Sequence, residues 1–432
     1  MRILIATSRF KDYAGSEITV LEYAEQLRLQ GNEVTIATFE LFDTYSNYCK
    51  SLEIPLKEIS DTTLSEAEWD IVWVFHTPTY YALFAKYCYK AKAIIFSSLS
   101  HFEPLESPPI ELNQIGVFTT NSKENYDYFT INYPDYAERA VILPNSIPDV
   151  YFSTVPTKKN TSYTKVLIVS NHLQPELLKL AELLRENDSL VNIYGVGFNE
   201  SLITPEILSQ YDSCITIGKT VQYCLALGIS VFCYDHFGGP GWITSKNVEL
   251  ASEFNFSGRC SNTKMTADEI LQMFQASNVP NEEELVFLKK YSKTHFSLSR
   301  NLFSVIEKVI PCQNIIECNQ KNTINNILNK SVDVFTRQQK FLEEYKLSWS
   351  IETSKREELE ERLMEIYNCW QAEIKTTSKL VLELNEVSGE ISSKEHSDFI
   401  LKERENGKTL FLDIFRSVKA FIAYYIKTPN TK

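Results

Sequence analysis

The stretch of residues 213–241 most constrains the fold, because it carries the pattern of a βαβ unit without interruption. A β-branched run over 215–217 ends at Gly218, a helical segment follows, and an apolar run covers 229–234. Two strands joined through one helix pair in parallel, and a parallel sheet needs helices on both faces. The pattern therefore predicts an open α/β sheet, in which ligands bind beyond the carboxyl ends of the strands.

Apolar strands alternate with helical segments through most of the chain. We predict strands over 2–6, 33–38, 71–75, 93–97, 116–120 and 140–143, and then over 165–169, 191–194, 213–217 and 229–234. This alternation is typical of doubly wound sheets. Residues 153–164, with Pro156 and several polar side chains, read as a linker. The sequence thus predicts an α/β protein with two Rossmann-like domains, over 1–152 and 165–310.

Two predicted loops at neighbouring strand ends have the residues of an anion site. The first contains Gly218, Lys219, Thr220 and Gln222, and the second contains Asp235, His236, Phe237, Gly238 and Gly239. A helix that starts at Lys219 would offer its free N–H groups and its dipole to a phosphate. The alternative is an ordinary helix start followed by a surface turn. Ser213 stands where a P-loop needs glycine, which excludes a P-loop NTPase.

Several segments together resemble the GT-B glycosyltransferases, of the family 4 and family 1 type that builds bacterial surface polysaccharides. These segments are Met1-Arg2-Ile3-Leu4-Ile5-Ala6, Ala14-Gly15-Ser16-Glu17, Gly31-Asn32-Glu33-Val34, Asn121-Ser122-Lys123-Glu124, Leu143-Pro144-Asn145-Ser146-Ile147 and the block around Gly218 and Gly238. The resemblance covers about residues 1–310, and Phe256-Ser257-Gly258-Arg259 is similar to a narrower bacterial subgroup. It implies transfer of a sugar from a nucleotide-sugar donor to a hydroxyl, without a bound metal or other cofactor.

The resemblance implies a donor site on the second domain and an acceptor site on the first. Donor candidates at the predicted strand ends are Ser170, Asn171, His172 and Gly195, besides the two anion-site loops. Lys219 and Thr220 would stabilise the departing diphosphate. Acceptor candidates are Gly15, Ser16 and Glu17. The family's two donor-sugar glutamates are missing, because Ile215 and Tyr223 occupy their positions, and Gln222 or Lys219 would have to substitute.

Three residues are candidates for the catalytic base: His76, His101 and Glu17. Each histidine follows a predicted strand, and imidazole titrates near neutral pH. The competing interpretation is structural: a loop histidine in the first two cases, and an acid that interacts with a helix N-terminus in the third. Two other functions stay open, a nucleotide-sugar epimerase on the same fold and a catalytically silent protein that assembles a complex.

Composition indicates where such a protein would work. The net charge of −13 argues against unspecific nucleic-acid binding. The nine cysteines form no CxxC pair and read as reduced core residues. The N-terminus starts with a core strand rather than a signal peptide, so we expect a cytoplasmic protein.

The last part of the chain has a different pattern. Heptads run from Phe335 to Ile391, with mostly apolar a and d positions, and predict a coiled coil within 330–400 that makes the protein a homo-oligomer. A long helix packed on its own domain is the alternative. Residues 409–428 combine aromatic and aliphatic side chains with several basic ones, which is typical of an amphipathic helix on the inner face of a membrane or on a protein partner.

Overall fold

The computed structural model describes residues 1–155, 165–275 and 279–311, together with residues 332, 333 and 336. Apart from these last three positions, the predicted coiled coil of residues 330–400 lies outside the described residues. The predicted terminal helix of residues 409–428 lies wholly outside them. Both therefore stay predictions.

The first part of the chain alternates strands and helices. Its elements are β1 (Arg2–Ala6), α1 (Gly15–Leu29), β2 (Glu33–Thr38), α2 (Asp43–Ser51), β3 (Leu56–Glu58), α3 (Thr62–Glu66), β4 (Glu68–Phe75), α4 (Thr77–Tyr81), β5 (Lys90–Ser98), β6 (Val117–Thr120), α5 (Lys123–Asn132), β7 (Ala140–Ile142) and α6 (Asp149–Ser153). A single π-helical turn, Ala82–Lys86, continues α4, and short 3-10 turns cover Pro104–Glu106, Leu112–Gln114 and Pro134–Arg139.

The second part repeats the pattern and ends in helices. Its elements are β8 (Lys165–Val169), α7 (Pro175–Glu186), β9 (Leu190–Tyr194), α8 (Pro205–Leu208), β10 (Ser213–Thr216), α9 (Lys219–Leu227), β11 (Ser230–Asp235), β12 (Gly238–Trp242), α10 (Val248–Glu253), α11 (Ala267–Gln275), α12 (Glu282–His295) and α13 (Leu298–Glu307).

The strands form two sheets, as predicted. The first has the order β3-β2-β1-β4-β5-β6-β7 and is parallel throughout. The second has the order β12-β11-β10-β8-β9 and is parallel except at its edge, where β12 runs antiparallel to β11. Apolar side chains cover both faces of both sheets. The prediction of an α/β protein with two Rossmann-like domains is confirmed.

Both sheets have a point where the strand order reverses. In the first sheet this switch point lies between β1 and β4, and in the second it lies between β8 and β10. Loops that leave neighbouring strands at a switch point turn to opposite faces of the sheet and open a crevice between them. The residues that follow these four strands are therefore the first place to look for a site.

The chain crosses between the two domains twice, at adjacent positions. Ile147 donates its backbone N–H to the Phe296 carbonyl at 2.7 Å, and Leu298 donates to the Ile147 carbonyl at 3.0 Å. Beyond the second crossing, Leu298 and Leu302 of α13 join the apolar core of the first sheet. We expected the second domain to extend to residue 310, whereas α13 packs on the first domain.

Two strands were not predicted. β3 is a short strand of three residues at the edge of the first sheet. β12 has the sequence Gly-Gly-Pro-Gly-Trp, which was read as a glycine-rich ligand loop but pairs with β11. An edge strand accepts a proline because one side of its backbone has no partner strand.

Candidate functional site

His76 lies at the switch point of the first sheet. It follows β4, and its Nδ1 is 2.9 Å from the Ser8 Oγ and 3.4 Å from the Thr7 Oγ1, both of which follow β1. Its φ of +73° is unusual for a residue with a side chain, and such strain is concentrated at functional sites. Burial lowers the pKa of His76 to about 4, so the imidazole is neutral near neutral pH.

His101, the second histidine candidate, lies after β5 in a different setting. Its Nδ1 is 2.6 Å from the Asn125 Oδ1, and its ring stacks on Tyr128 with 4.5 Å between centroids. Asn125 also donates its amide to the Leu99 carbonyl at 2.8 Å. These contacts fix the orientation of the His101 ring and occupy one of its nitrogens.

Glu106 is a buried carboxylate that the sequence analysis missed. It accepts hydrogen bonds from the backbone N–H groups of Leu99 and of Ser100, the latter at 2.7 Å, and thereby holds the loop that carries His101. Burial raises the pKa of Glu106 to about 7, although the two N–H groups favour the charged form. A glutamate after a proline in a loop gives no sequence signal for such a role.

Glu17 lies in the first turn of α1, after the loop that follows β1. The side chain is buried, its Oε2 accepts a hydrogen bond from the Ser16 Oγ at 2.7 Å, and burial raises its pKa. At Gly15, the first residue of the helix, an added Cβ would meet no atom within 4 Å. The predicted acceptor residues Gly15, Ser16 and Glu17 thus form one helix start, and the carboxylate is the part that could accept a proton.

Four predicted donor residues converge at the carboxyl ends of β8 and β11. The Ser170 Oγ donates to the Asp235 Oδ2 at 2.7 Å and also accepts the backbone N–H of His172 at 3.1 Å. The backbone N–H of His236 donates to the Asp235 Oδ1 at 2.9 Å. The rings of His172 and His236 meet edge to face, with 5.5 Å between centroids. The structure thus brings the imidazoles of His172 and His236 together next to the Asp235 carboxylate.

The His236 ring has an unused polar atom. Its Nδ1 is buried, makes no hydrogen bond within the described residues, and lies 3.9 Å from the Asp235 Oδ1. Burial and the neighbouring His236 lower the pKa of His172. A buried polar atom without a partner is costly, and a bound ligand can supply the missing contact.

Three of the predicted site glycines have a packing role that explains them. A Cβ at Gly239 would lie 1.9 Å from the Cys233 carbonyl oxygen, and one at Gly238 would lie 2.2 Å from that of Thr263. At Gly195, a Cβ would lie 1.8 Å from the Ser170 carbonyl oxygen. In each case glycine permits the close approach of two backbone segments. Gly238 and Gly239 thus lie in the packed strand β12 and not in the expected glycine-rich loop, and their part in donor binding stays a prediction.

Lys219 is not a free cation at the start of a helix. Its Nζ lies 2.6 Å from the Glu22 Oε2, and Tyr223 donates its hydroxyl to the other oxygen of the same carboxylate. Burial raises the pKa of Glu22, which the ammonium and the hydroxyl oppose. Because α1 belongs to the first domain and α9 to the second, Lys219 links the domains.

The remaining predicted residues around α9 and β8 lie near these contacts. Gly218 precedes α9 with φ +62° and donates its N–H to the Phe256 carbonyl. Gln222 is buried, and its Oε1 has no partner among the described residues. Thr220 is half-buried in the first turn, and Asn171 donates its amide to the Tyr13 carbonyl at 3.4 Å across the domain boundary.

A second ion pair between the domains was not predicted. The Arg259 Nε lies 3.1 and 3.2 Å from the two oxygens of Glu124, and Nη2 contacts the same carboxylate. The guanidinium lies 5.3 Å from the ring centre of Phe102 and 5.2 Å from that of Phe237. Glu124 and Arg259 each belong to a segment that the sequence analysis singled out, 121–124 and 256–259, but nothing in the sequence indicated that these two side chains are in contact.

Within residues 1–155, 165–275 and 279–311, no group of three or more His, Cys, Asp or Glu side chains is arranged to hold a metal ion. No helix in the described part has the length and apolarity needed to cross a membrane. Cys49, Cys214, Cys224, Cys233 and Cys260 are free thiols, as expected, whereas Cys88 is in a disulfide.

No family model and no curated protein matches the chain. Solved structures do resemble it. A glycosyltransferase from Rickettsia africae aligns with 71% of this chain and 97% of its own, at 13% identity and a TM-score of 0.49. An α-glucosyltransferase in complex with UDP and DNA covers 71% and 99%, at 14% identity and a TM-score of 0.45.

A putative UDP-N-acetylglucosamine 2-epimerase from Listeria monocytogenes covers 71% and 95%, at 12% identity and a TM-score of 0.43. Similarity at this level transfers no residue role to the present chain. The two-sheet topology described above is the evidence for its fold.

Proposed function

We propose that the protein is a glycosyltransferase that transfers a sugar from a nucleotide-sugar donor to an acceptor hydroxyl. The observation that supports this most is the cluster of Ser170, His172, Asp235 and His236 at the carboxyl edge of the second sheet. It lies beside that sheet's switch point, where ligands of α/β proteins bind, and includes a ring nitrogen without a partner.

The two imidazoles of this cluster suit the donor diphosphate. Each can donate an N–H to a phosphate oxygen, and a hydrogen bond to a charged oxygen is stronger than one between neutral groups. Such donors stabilise the negative charge that develops on the leaving diphosphate. Thr220 and the first N–H groups of α9 are a second proposed contact. Lys219 is not part of it, because its charge is neutralised by Glu22.

His76 suits the acceptor hydroxyl in this proposal. The neutral ring can accept a proton at Nε2 in the tautomer in which its Nδ1–H donates to the Ser8 Oγ, 2.9 Å away, and we assign this tautomer to the reaction. The acceptor oxygen forms a bond to the anomeric carbon of the donor sugar as the bond from that carbon to the diphosphate oxygen breaks. The hydroxyl proton goes to His76. Glu17 and His101 remain the other candidates for this base.

The test of the donor site is direct binding of nucleoside diphosphates, measured by calorimetry. We expect His236→Ala to weaken binding about tenfold, the effect of losing one hydrogen bond to a charged group. His295→Ala is the matched control, because His295 is exposed on α12, where its ring contacts the Tyr291 carbonyl. Equal affinity in the two variants would remove His236 from the site.

Incubation with a panel of nucleotide sugars tests the activity. Release of nucleoside diphosphate that depends on a glycan acceptor supports transfer. A changed sugar in the absence of any acceptor would instead indicate an epimerase. Binding without turnover of any donor would indicate a catalytically silent protein.

The remaining elements of the proposal concern location and assembly. We propose that the enzyme works in the cytoplasm and that its acceptor is an envelope glycan or a lipid-linked molecule. We also propose that residues 335–391 form a coiled coil that makes the protein an oligomer. Light scattering of the full chain against one ending at residue 340 tests the coil: an unchanged mass would reject it. Co-sedimentation with anionic vesicles, with and without residues 409–428, tests membrane contact in the same way.

A further inference from the structure

Arg259 and Glu124 stand out among the contacts between the domains. The guanidinium presents its edge to both carboxylate oxygens, and the two side chains are 20% and 17% exposed. A planar guanidinium edge binds carboxylate and phosphate with the same two-pronged geometry. The place that Glu124 occupies is therefore one that a substrate oxyanion would also fit.

Two exposed aromatic rings frame this place. Phe102 from the first domain is 61% exposed and Phe237 from the second is 37% exposed, and the guanidinium lies over both rings. Phe237 in turn contacts the His236 ring in a tilted arrangement, with 4.0 Å between ring centroids. The Phe237 ring thus contacts both Arg259 and His236, and the Nδ1 of His236 has no hydrogen-bond partner among the described residues. A purely structural ion pair between the domains would not need to lie beside exposed aromatic rings and next to the cluster of Ser170, His172, Asp235 and His236.

Glu124 loses little if Arg259 turns to another anion. It lies in the first turn of α5, where the helix dipole stabilises a negative charge without any cation. It remains partly exposed, so water can solvate it after release. The pair of Arg259 and Glu124 is also more exposed than the pair of Lys219 and Glu22, whose side chains are 7% and 10% exposed.

We propose that Arg259 binds an oxyanion of the substrate, and that the Glu124 carboxylate occupies this site until the substrate displaces it. The inference rests on the proposed function for the nature of the substrate. The oxyanion has two possible sources, the diphosphate of the donor or a carboxylate on an acidic acceptor sugar. Substrate entry would then also release one of the ion pairs that the described residues form between the domains.

The experiment compares the binding of inorganic pyrophosphate and of glucuronate to the full-length protein by calorimetry. We expect Glu124→Gln to bind one probe about fivefold more tightly, because an internal competitor lowers the apparent affinity by the fraction of time it occupies the site. Arg259→Lys should bind the same probe about tenfold more weakly, because it loses the two-pronged contact. Tighter binding of pyrophosphate identifies the donor as the source, and tighter binding of glucuronate identifies the acceptor.

The control is Asp127→Asn on the same helix, which breaks an ion pair with Lys123 within α5. If Glu124→Gln binds both probes no more tightly than Asp127→Asn does, the inference is overturned, and absence of binding by every variant overturns it too. Thermal unfolding of each variant identifies a loss of fold. Failure of the proposed function gives a different result, namely oxyanion binding with this variant pattern but no transfer from any nucleotide sugar.

Discussion

Glu22 of α1 and Lys219 of α9 form an ion pair of 2.6 Å between the two domains, with side chains that are 10% and 7% exposed. Lys219 also lies 3.4 Å from the Thr19 Oγ1 and 3.3 Å from the Ser146 carbonyl oxygen, both of the first domain. Its ammonium is thus surrounded by groups of the other domain. We expected Lys219 to contact a phosphate. In the structure it instead forms an ion pair that helps to set how the two domains pack.

Removing the ammonium should destabilise the protein. We expect Lys219→Met to lower the free energy of unfolding by about 3 kcal/mol, because Glu22 is left as an uncompensated buried charge. The double variant Lys219→Met with Glu22→Leu should recover most of this loss. Lys92→Met is the control, since Lys92 pairs with Asp70 at the surface, where an ion pair contributes little to stability. Equal losses in the two lysine variants, measured by urea unfolding, would contradict the role of the buried pair.

The low pKa of His76 predicts a pH dependence of stability. The folded protein binds the His76 proton only near pH 4, whereas the unfolded chain binds it near the ordinary pKa of 6.5. Between these values the unfolded state holds more protons, so stability falls as the pH drops from 6.5 toward 4. We expect His76→Gln to lose less stability than the wild type between pH 7 and pH 5 in urea unfolding. The same loss in both proteins would mean that His76 titrates normally.

Glu106 predicts the opposite trend. Its folded pKa of about 7 lies above the ordinary value of 4.5, so the folded state holds the extra proton and loses stability as the pH rises through this range. We expect Glu106→Gln to gain stability relative to the wild type at pH 8 and to differ little at pH 5. Glu103→Gln, at an exposed neighbouring position, should show no such difference. A variant that parallels the wild type at both pH values would show that Glu106 titrates like an exposed glutamate.

Two glycines predicted for the site should respond differently to substitution. Gly239→Ala should destabilise the protein by about 3 kcal/mol or prevent folding, because the added Cβ would overlap backbone atoms. A packed backbone cannot move aside as the end of a flexible side chain can. Gly15→Ala should leave the melting temperature nearly unchanged, because nothing lies near its Cβ. A loss of transfer activity in a stable Gly15→Ala variant would then locate the acceptor near α1. Similar melting temperatures for both variants would contradict the packing role of Gly239.

The sequence was sufficient to predict both sheets, because buried parallel strands are apolar runs with helical segments between them. β1 and β2 have the predicted bounds, β4 starts before its predicted range but ends with it at Phe75, and β5 extends beyond its range at both ends. β12 was missed because three glycines and a proline give it no strand propensity, and only its pairing with β11 makes it a strand. β3 was missed because three residues are too few for a pattern.

The candidate site could be predicted in part. Ser170, His172, Asp235 and His236 were found because the ends of parallel strands share one edge of a sheet, a rule that needs no coordinates. The partners of Lys219 and Arg259 could not be found this way. Glu22 and Glu124 lie in another domain, and which helix faces meet depends on how the domains dock. A charged residue at a helix start has the same sequence signal whether it meets a ligand or a carboxylate.

The double crossing at Ile147 and Leu298 makes the second domain an insertion into the first. The residues on either side of the insertion are hydrogen-bonded neighbours, so a short peptide could replace the whole of residues 148–297. A first domain expressed alone without α13 would expose apolar surface that Leu298 and Leu302 now cover, whereas one that keeps α13 through such a bridge retains its own core. Dissection of this protein into halves should follow that topology and not the order of the sequence.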